Sequence, residues 1–262
     1  MVRLACALIL LSITPQRTLA QQPADVPLAP MAKDANPAFE VATIKPAKPN
    51  HGSEGFHING HRLSLENEPV ISLISVAYGI HKTQVVGAPA WFDTDQYDID
   101  GVPDQPGEPN THQMQLMIQK LLADRFGLKF HREKRELSVY AITIAKGGPK
   151  MTLNTTGREG SPDQTGNGNG WQQTMKYTNN TMADLALGLQ FVVGKPVIDQ
   201  TGLTGRYDFT LHYTISDAHL DDPNAPPGFF TAIQEQAGLK LEPTKAQADV
   251  LVIDHIERPS EN

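Results

Sequence analysis

Hydrophobic and polar positions change period several times along the chain. Phe39-Glu-Val-Ala-Thr-Ile44 alternates as a strand does and is stopped by Lys45-Pro46, while Asn50 to Gly55 reads as a loop. Arg62 to Leu65 is a second short strand. Behind Asn67, a polar residue suited to a cap, Val70, Leu73, Ile74 and Ala77 recur at helical spacing as far as Gly79. Alternation returns from Gln96 to Asp100, and an acidic, proline-rich loop follows. A second amphipathic helix then uses Met114, Met117, Ile118, Leu121 and Leu122 and stops at Gly127. It leads into an expected hairpin whose return strand is Leu137 to Ala145.

The same order recurs downstream. A strand over Thr174 to Thr178 precedes Asn180 and a helix with Met182, Leu185, Ala186 and Leu189, which ends at Gly194. In the strand Arg206 to Tyr213, the residues Tyr207, Phe209, Leu211 and Tyr213 share one face. Phe229, Ala232, Ile233 and Ala237 mark the next helix, Gly238 its stop, and Ala248 to Ile256 the return strand. Gly127-Leu128-Lys129 recurs as Gly238-Leu239-Lys240, and Val139 and Ile142 recur as Val250 and Ile253, all 111 residues later. Tyr97-Asp98 recurs as Tyr207-Asp208 at an offset of 110. The pattern predicts an α+β fold made of internally duplicated β-α-β-α-β-β units, residues 62–150 and 174–262, with mixed or antiparallel sheets and helices packed on them.

Around these units the expected organisation is a signal peptide over 1–20, a disordered spacer over 21–38, an N-terminal half over 39–156, a Gly-rich linker over 157–173 and a C-terminal half over 174–262. The signal peptide rests on Arg3, the apolar run Leu4 to Ile13 and the small residue of Thr18-Leu19-Ala20 before Gln21. It carries the sole cysteine, Cys6, so the mature chain would hold no disulfide, Cys-based zinc site or thiol nucleophile. Loss of Arg3 and Arg17 takes the formal charge from −7 to −9. That balance, with no basic cluster longer than His131 to Arg135, argues against nucleic acid and anionic lipid as partners. No other run is apolar for the roughly 20 residues that a membrane span needs.

Several phrases are long enough to carry a likeness. Phe39-Glu-Val-Ala-Thr-Ile-Lys-Pro46, Leu121-Leu-Ala-Asp-Arg-Phe-Gly-Leu-Lys129, Val139-Tyr-Ala-Ile142 with Lys146-Gly-Gly-Pro149, Pro196-Val-Ile-Asp-Gln-Thr-Gly-Leu-Thr-Gly-Arg-Tyr-Asp-Phe-Thr210 and the ending from Val250 to Asn262 resemble the signature segments of a soil-associated family of secreted bacterial proteins, catalogued as a domain of unknown function. The resemblance implies export and a bacterial host and carries no established activity. Some members of that family carry the domain behind an antirepressor-type membrane metallopeptidase, which implies an extracytoplasmic sensing or interaction role. No HExxH occurs in this chain, so peptidase chemistry does not carry over. The β-α-β start of each half is also similar to the short modules at the N-termini of secretins and TonB-dependent receptors.

Candidate chemistry is sparse. His57 and His61, with Asn59-Gly60 between them, lie in a strand or loop, where residues four apart do not converge on a metal as they do on a helix. Asp93, Asp95, Asp98 and Asp100 have the density of a calcium loop but place Tyr97, Asp98 and Asp104 at its fifth, sixth and twelfth positions. Asp254-His255 reads as the polar edge of the last strand. No Gly-x-Ser-x-Gly elbow occurs, and Gly166 to Gly170 follows no strand and opens no helix, so it is not a phosphate cradle. In Thr201-Gly202-Leu203-Thr204-Gly205, two glycines permit tight turns, with Asp199 expected to pair across them with Arg206, or Arg206 with Asp208.

The reading is an exported, non-catalytic binding module without cofactor or metal, whose partner is an envelope protein, peptide or glycan. The alternative is an extracytoplasmic hydrolase with Asp199, Asp208 and His212 as its acid-base residues.

Overall fold

The computed structural model describes residues 29–48, 55–59, 62–155, 162–215, 219, 222 and 224–259. The expected leader, the loop over 49–54 and His61 lie outside them. The fold is α+β, with three four-stranded sheets.

The first sheet has the order β1-β5-β3-β2, all antiparallel, from β1 (Phe39–Pro46), β2 (Gly55–Asn59), β3 (Arg62–Pro69) and β5 (Gln96–Pro103). A second has the order β7-β11-β9-β8, from β7 (Thr152–Leu153), β8 (Asp163–Asn169), β9 (Gln172–Asn180) and β11 (Tyr207–Thr214). Between them lies β10-β6-β12-β4, built on two long strands, β6 (Lys129–Ile144) and β12 (Leu239–His255), with the short β4 (Val85–Val86) and β10 (Val197–Asp199) at its edges.

β6 and β12 are antiparallel from Leu239 opposite Ile144 to His255 opposite Lys129. The expected hairpin with return strand Leu137 to Ala145 is therefore absent, and its residues belong to one continuous strand. Nothing in His131-Arg-Glu-Lys-Arg-Glu-Leu137 supplies a left-handed or proline turn. The alternation lapses there because most of these side chains are exposed to water. Residues of β6 and β12 separated by 111 in sequence pair reciprocally: Val139 faces Thr244, and Val250 faces Glu133.

Each short edge strand crosses to the other half of the chain. β4 runs parallel to β12, with Val85 opposite Leu251, and β10 runs parallel to β6, with Val197 opposite Tyr140. Gln84 Nε2 secures the first crossing by donating to the Asp249 carbonyl at 2.8 Å.

Helices fill the space between each outer sheet and one end of the central ribbon. α1 (Val70–Tyr78) is apolar nearly all round and buried accordingly; its N-cap is Pro69, without a side-chain cap. α2 (Thr111–Arg125) opens with a reciprocal capping box between Asn110 and Gln113, and α3 (Met182–Val193) with one between Thr181 and Asp184. α4 (Phe229–Ala232) is a single turn continued by a π turn over Ile233–Ala237. One core gathers Ile44, Leu65, Leu73, Ile74, Phe92, Tyr97, Ile99, Leu122 and Phe126, and it includes Leu251 from β12. The other gathers Tyr177, Met182, Leu185, Leu189, Phe209, Leu211, Ile233 and Leu239, and it includes Ile142 from β6.

Neither Asn67 nor Asn180 caps a helix. Asn67 and Asn179 are the two non-glycine residues with positive φ, 57° and 59°, among those described. Each sits at a register shift, in the β3–β5 pair and the β9–β11 pair respectively. Each donates its backbone N–H to the aspartate of a Tyr-Asp pair, Asn67 to Asp98 at 2.9 Å and Asn179 to Asp208 at 2.7 Å. The recurring Tyr-Asp is thus a bulge clamp: the tyrosine enters the core and the aspartate satisfies the backbone that the bulge leaves unpaired. Asn180 is fully buried, and its amide donates to the Asp163 and Thr178 carbonyls.

Two expected boundaries need correction. Residues 29–38 are not spacer: Met31 is buried, its N–H donates to the Glu108 carbonyl at 2.8 Å, and Gln113 Nε2 holds the Ala32 carbonyl at 2.7 Å. The Gly-rich stretch is not a linker from Asp163 onward, because Asp163–Asn169 is β8, paired along its length with β9. The ends of the Met175 and Gln173 side chains lie over Gly166 and Gly168, in the space that a Cβ at those positions would take.

Two outcomes follow. Trp91 and Trp171 lie one in each half, so W171F and W91F report the halves separately by fluorescence. Because each core borrows from the other half, the two variants should melt in one coincident transition, and separate midpoints would show independent halves. At the bulges, Asn179→Ala should be less stable than Asn179→Gly by about 1–2 kcal/mol, a Tm difference of roughly 2–8 °C, because both lose the side chain and only glycine takes the left-handed backbone freely. Equal effects of the two variants in thermal melts would deny the left-handed requirement.

Candidate binding groove

α3 carries its core face on Met182, Leu185 and Leu189, and Gly194, at φ 63°, ends it in a left-handed cap. Its last turn brings Phe191 and Val192 to the surface, 58% and 48% exposed. On the neighbouring wall, Tyr213 closes the buried face of β11. Thr214 is anchored where the chain returns, its N–H donating to the Pro227 carbonyl at 2.9 Å and its hydroxyl to the Pro226 carbonyl at 2.6 Å. α4 starts directly afterwards. Phe229 turns inward and meets Tyr213 edge-on at 5.1 Å, while Phe230 stays half exposed and touches the Tyr140 ring at 5.5 Å.

Between these walls lies an open groove of about 380 Å³, lined by Val192, Tyr213, Thr214, Ile215, Phe229 and Phe230, together with Gly228 and Thr231. No lining residue is charged. Of the six large apolar side chains exposed among the described residues, Val192, Ile215 and Phe230 line this groove. Such concentration on one face is the signature of a surface that meets another apolar surface. Lys195 sits over the Tyr140 ring, its Nζ 5.6 Å from the centroid. Burial holds the Tyr213 phenol above its ordinary pKa, which keeps it neutral at physiological pH.

The acid-base candidates do not converge on a site. Asp199 closes a local turn, accepting from the Thr201 N–H at 2.8 Å and its hydroxyl at 2.7 Å. Asp208 is occupied by the Asn179 N–H and the Asn154 side-chain amide. His212 shares a strand face with Asp208 four residues away, a separation of roughly 13 Å along a strand. Its ring meets the Thr174 hydroxyl at 2.9 Å. Gln236 brackets the His212 backbone, accepting from its N–H and donating to its carbonyl, so the side-chain amide stands in for a neighbouring strand. Arg206 pairs with neither Asp199 nor Asp208; it donates to the Asn179 carbonyl at 2.8 Å and lies 3.9 Å from Asp184.

The other groups considered are dispersed in the same way. Asp95 binds Arg258, Asp98 clamps Asn67, and Asp100 holds Arg62 and Ser64. Asp254 meets His131 at 2.8 Å and His255 meets Glu257 at 2.8 Å, all near the surface. His57 lies on β2 opposite Ser64. Among the described residues, no three His, Cys, Asp or Glu side chains are grouped as metal ligands.

Sequence reasoning found Phe229 and Tyr213 as core residues but missed the groove beside them. The available signal lay ahead of two apolar spans of equal length: Pro226-Pro227-Gly228 precedes Phe229 and bars further helix, whereas the polar helical residues Thr111-His112-Gln113 precede Met114.

No curated protein and no solved structure matches the chain. Residues 71–256, from the first turn of α1 to the end of β12, match the family described as Protein of unknown function (DUF3738), and since that is well over half the sequence the chain belongs to this family.

Proposed function

We propose that this protein is exported and acts at the cell envelope as a non-catalytic binding module, with the groove between α3, β11 and α4 as its site for apolar side chains of a protein or peptide partner. The observation that carries the reading is the uncharged groove, around which Val192, Ile215 and Phe230 stay exposed. Export is supported by the basic, apolar and small-residue order of positions 1–20. The hydrolase alternative draws no support from the geometry, because Asp199 and Asp208 spend their carboxylates on the backbone of a turn and a bulge.

We further infer that the two halves are copies of one unit. The matching orders β1-β5-β3-β2 and β7-β11-β9-β8, the paired Asn-Asp clamps and the reciprocal exchange of β4 and β10 support this origin.

Two measurements test the functional proposal. Protein recovered from outside the cytoplasm should have an intact mass beginning at Gln21; a mature mass retaining residues 1–20 would overturn export. The folded protein should enhance the fluorescence of the apolar dye ANS, and Val192→Asp and Phe230→Asp should each remove most of that signal without lowering Tm. Dye binding indifferent to both substitutions would remove the groove as the site.

A further inference from the structure

The two halves differ at one place that bears on what the groove accepts. Gly127 and Gly238 hold the same position, each left-handed at the end of a helical segment and each followed at once by a long central strand. Counting back from these glycines, Phe229 at the start of α4 takes the place of Ile118 in α2. Among the described residues of the second half, the positions matching Thr111–Met117, the first two turns of α2, carry no α-helix.

In the first half those two turns have a definite task. Met117 is fully buried, Met114 packs on the core, and Gln115 donates to the Val76 carbonyl at 3.0 Å in the last turn of α1, a bond that Gln119, one turn further on, repeats to the Ala77 carbonyl at 2.6 Å. Ile80, just past the helix, joins the same core and is 7% exposed. Val192 stands at the corresponding distance from the start of α3 and is 48% exposed. The groove is the place that an amphipathic helix fills in the other half of the same chain.

Resting on the reading of this groove as a binding site, we propose that its occupant is a short amphipathic helix of a partner protein, lying across the last turn of α3 as Thr111–Met117 lies across α1. Lys195 adds a charge preference. It stands over the Tyr140 ring, which in turn touches the groove residue Phe230, and it has no carboxylate within ion-pair range among the described residues, so an acidic residue flanking the helix's apolar face is complementary to it. Helix-in-groove recognition reads apolar anchors at i, i+3 and i+4, the spacing of Met114, Met117 and Ile118 on α2.

The probe is a synthetic peptide spanning Asn110–Gln119, with a lactam joining positions 112 and 116 on its exposed side to hold the helix, because an unconstrained segment of this length is marginally helical. Fluorescence anisotropy against the full mature chain should show saturable binding, weakened about tenfold or more by Val192→Asp and by Phe230→Asp at unchanged Tm. A terminal Glu on the probe should bind more tightly than a terminal Lys, and Lys195→Glu should reverse that order. Equal binding of a Gln115→Pro linear peptide would overturn the helical occupant while leaving an apolar groove. Absence of peptide binding alongside substitution-sensitive dye binding would do the same, whereas loss of both would remove the site altogether. A dimer in sedimentation analysis that Phe230→Asp dissolves would make a second copy of the chain the occupant and overturn the proposal.

Discussion

The antiparallel pairing of β6 with β12 is the constraint from which the rest of the architecture follows. Two strands 94 residues apart at their nearest ends meet along nearly their full length, so neither half can form its last strand alone. The exchange of β4 and β10 across that ribbon makes the dependence mutual, and Leu251 and Ile142 carry it into the cores. Fully burying such a side chain contributes about 1.5–3 kcal/mol, a large share of a typical domain's net stability. The middle of the ribbon is free to be polar because it packs against neither core. Its surface ion pairs, such as Lys134 with Asp249, hold little energy but keep a long exposed strand soluble.

Much of this order was legible in the sequence because it is local. The strand alternation of Tyr207, Phe209, Leu211 and Tyr213, the helical spacing around Leu73 and Leu185, and the glycine stops reflect backbone periods that do not depend on partners. What failed was long-range. His131 to Leu137 lost its alternation to a two-sided ribbon, and Asp163–Asn169 looked like a linker because of glycines that lie under Met175 and Gln173 of the next strand. The Tyr-Asp recurrence was visible without its reason. That reason lies some 30 residues upstream, in an asparagine whose left-handed backbone only the folded pairing reveals.

The candidate site was less legible than the fold for a related reason. Acid-base residues can be picked out by type, and Asp199, Asp208 and His212 were, but their types serve equally well as turn and bulge partners, which is how the fold uses two of them. A groove has no residue type of its own. It arises from the way α3, β11 and α4 meet, and Val192, Ile215 and Phe230 come from three stretches of sequence that only the folded chain brings together.

Comparison of the two halves bears on why the exposed side chains persist. Phe191, Val192, Ile215 and Phe230 add nothing to the core by remaining in water, and together they raise the tendency of the chain to associate. Truncating the second helix alone would have exposed the end of α3; polar substitution there would have restored solubility at almost no cost in stability. Instead α3 is extended past the length of α1 and brings two more apolar residues to the opening. An opening lined without charge, with Val192, Ile215 and Phe230 left in water, has the make-up that a surface needs to meet another apolar surface.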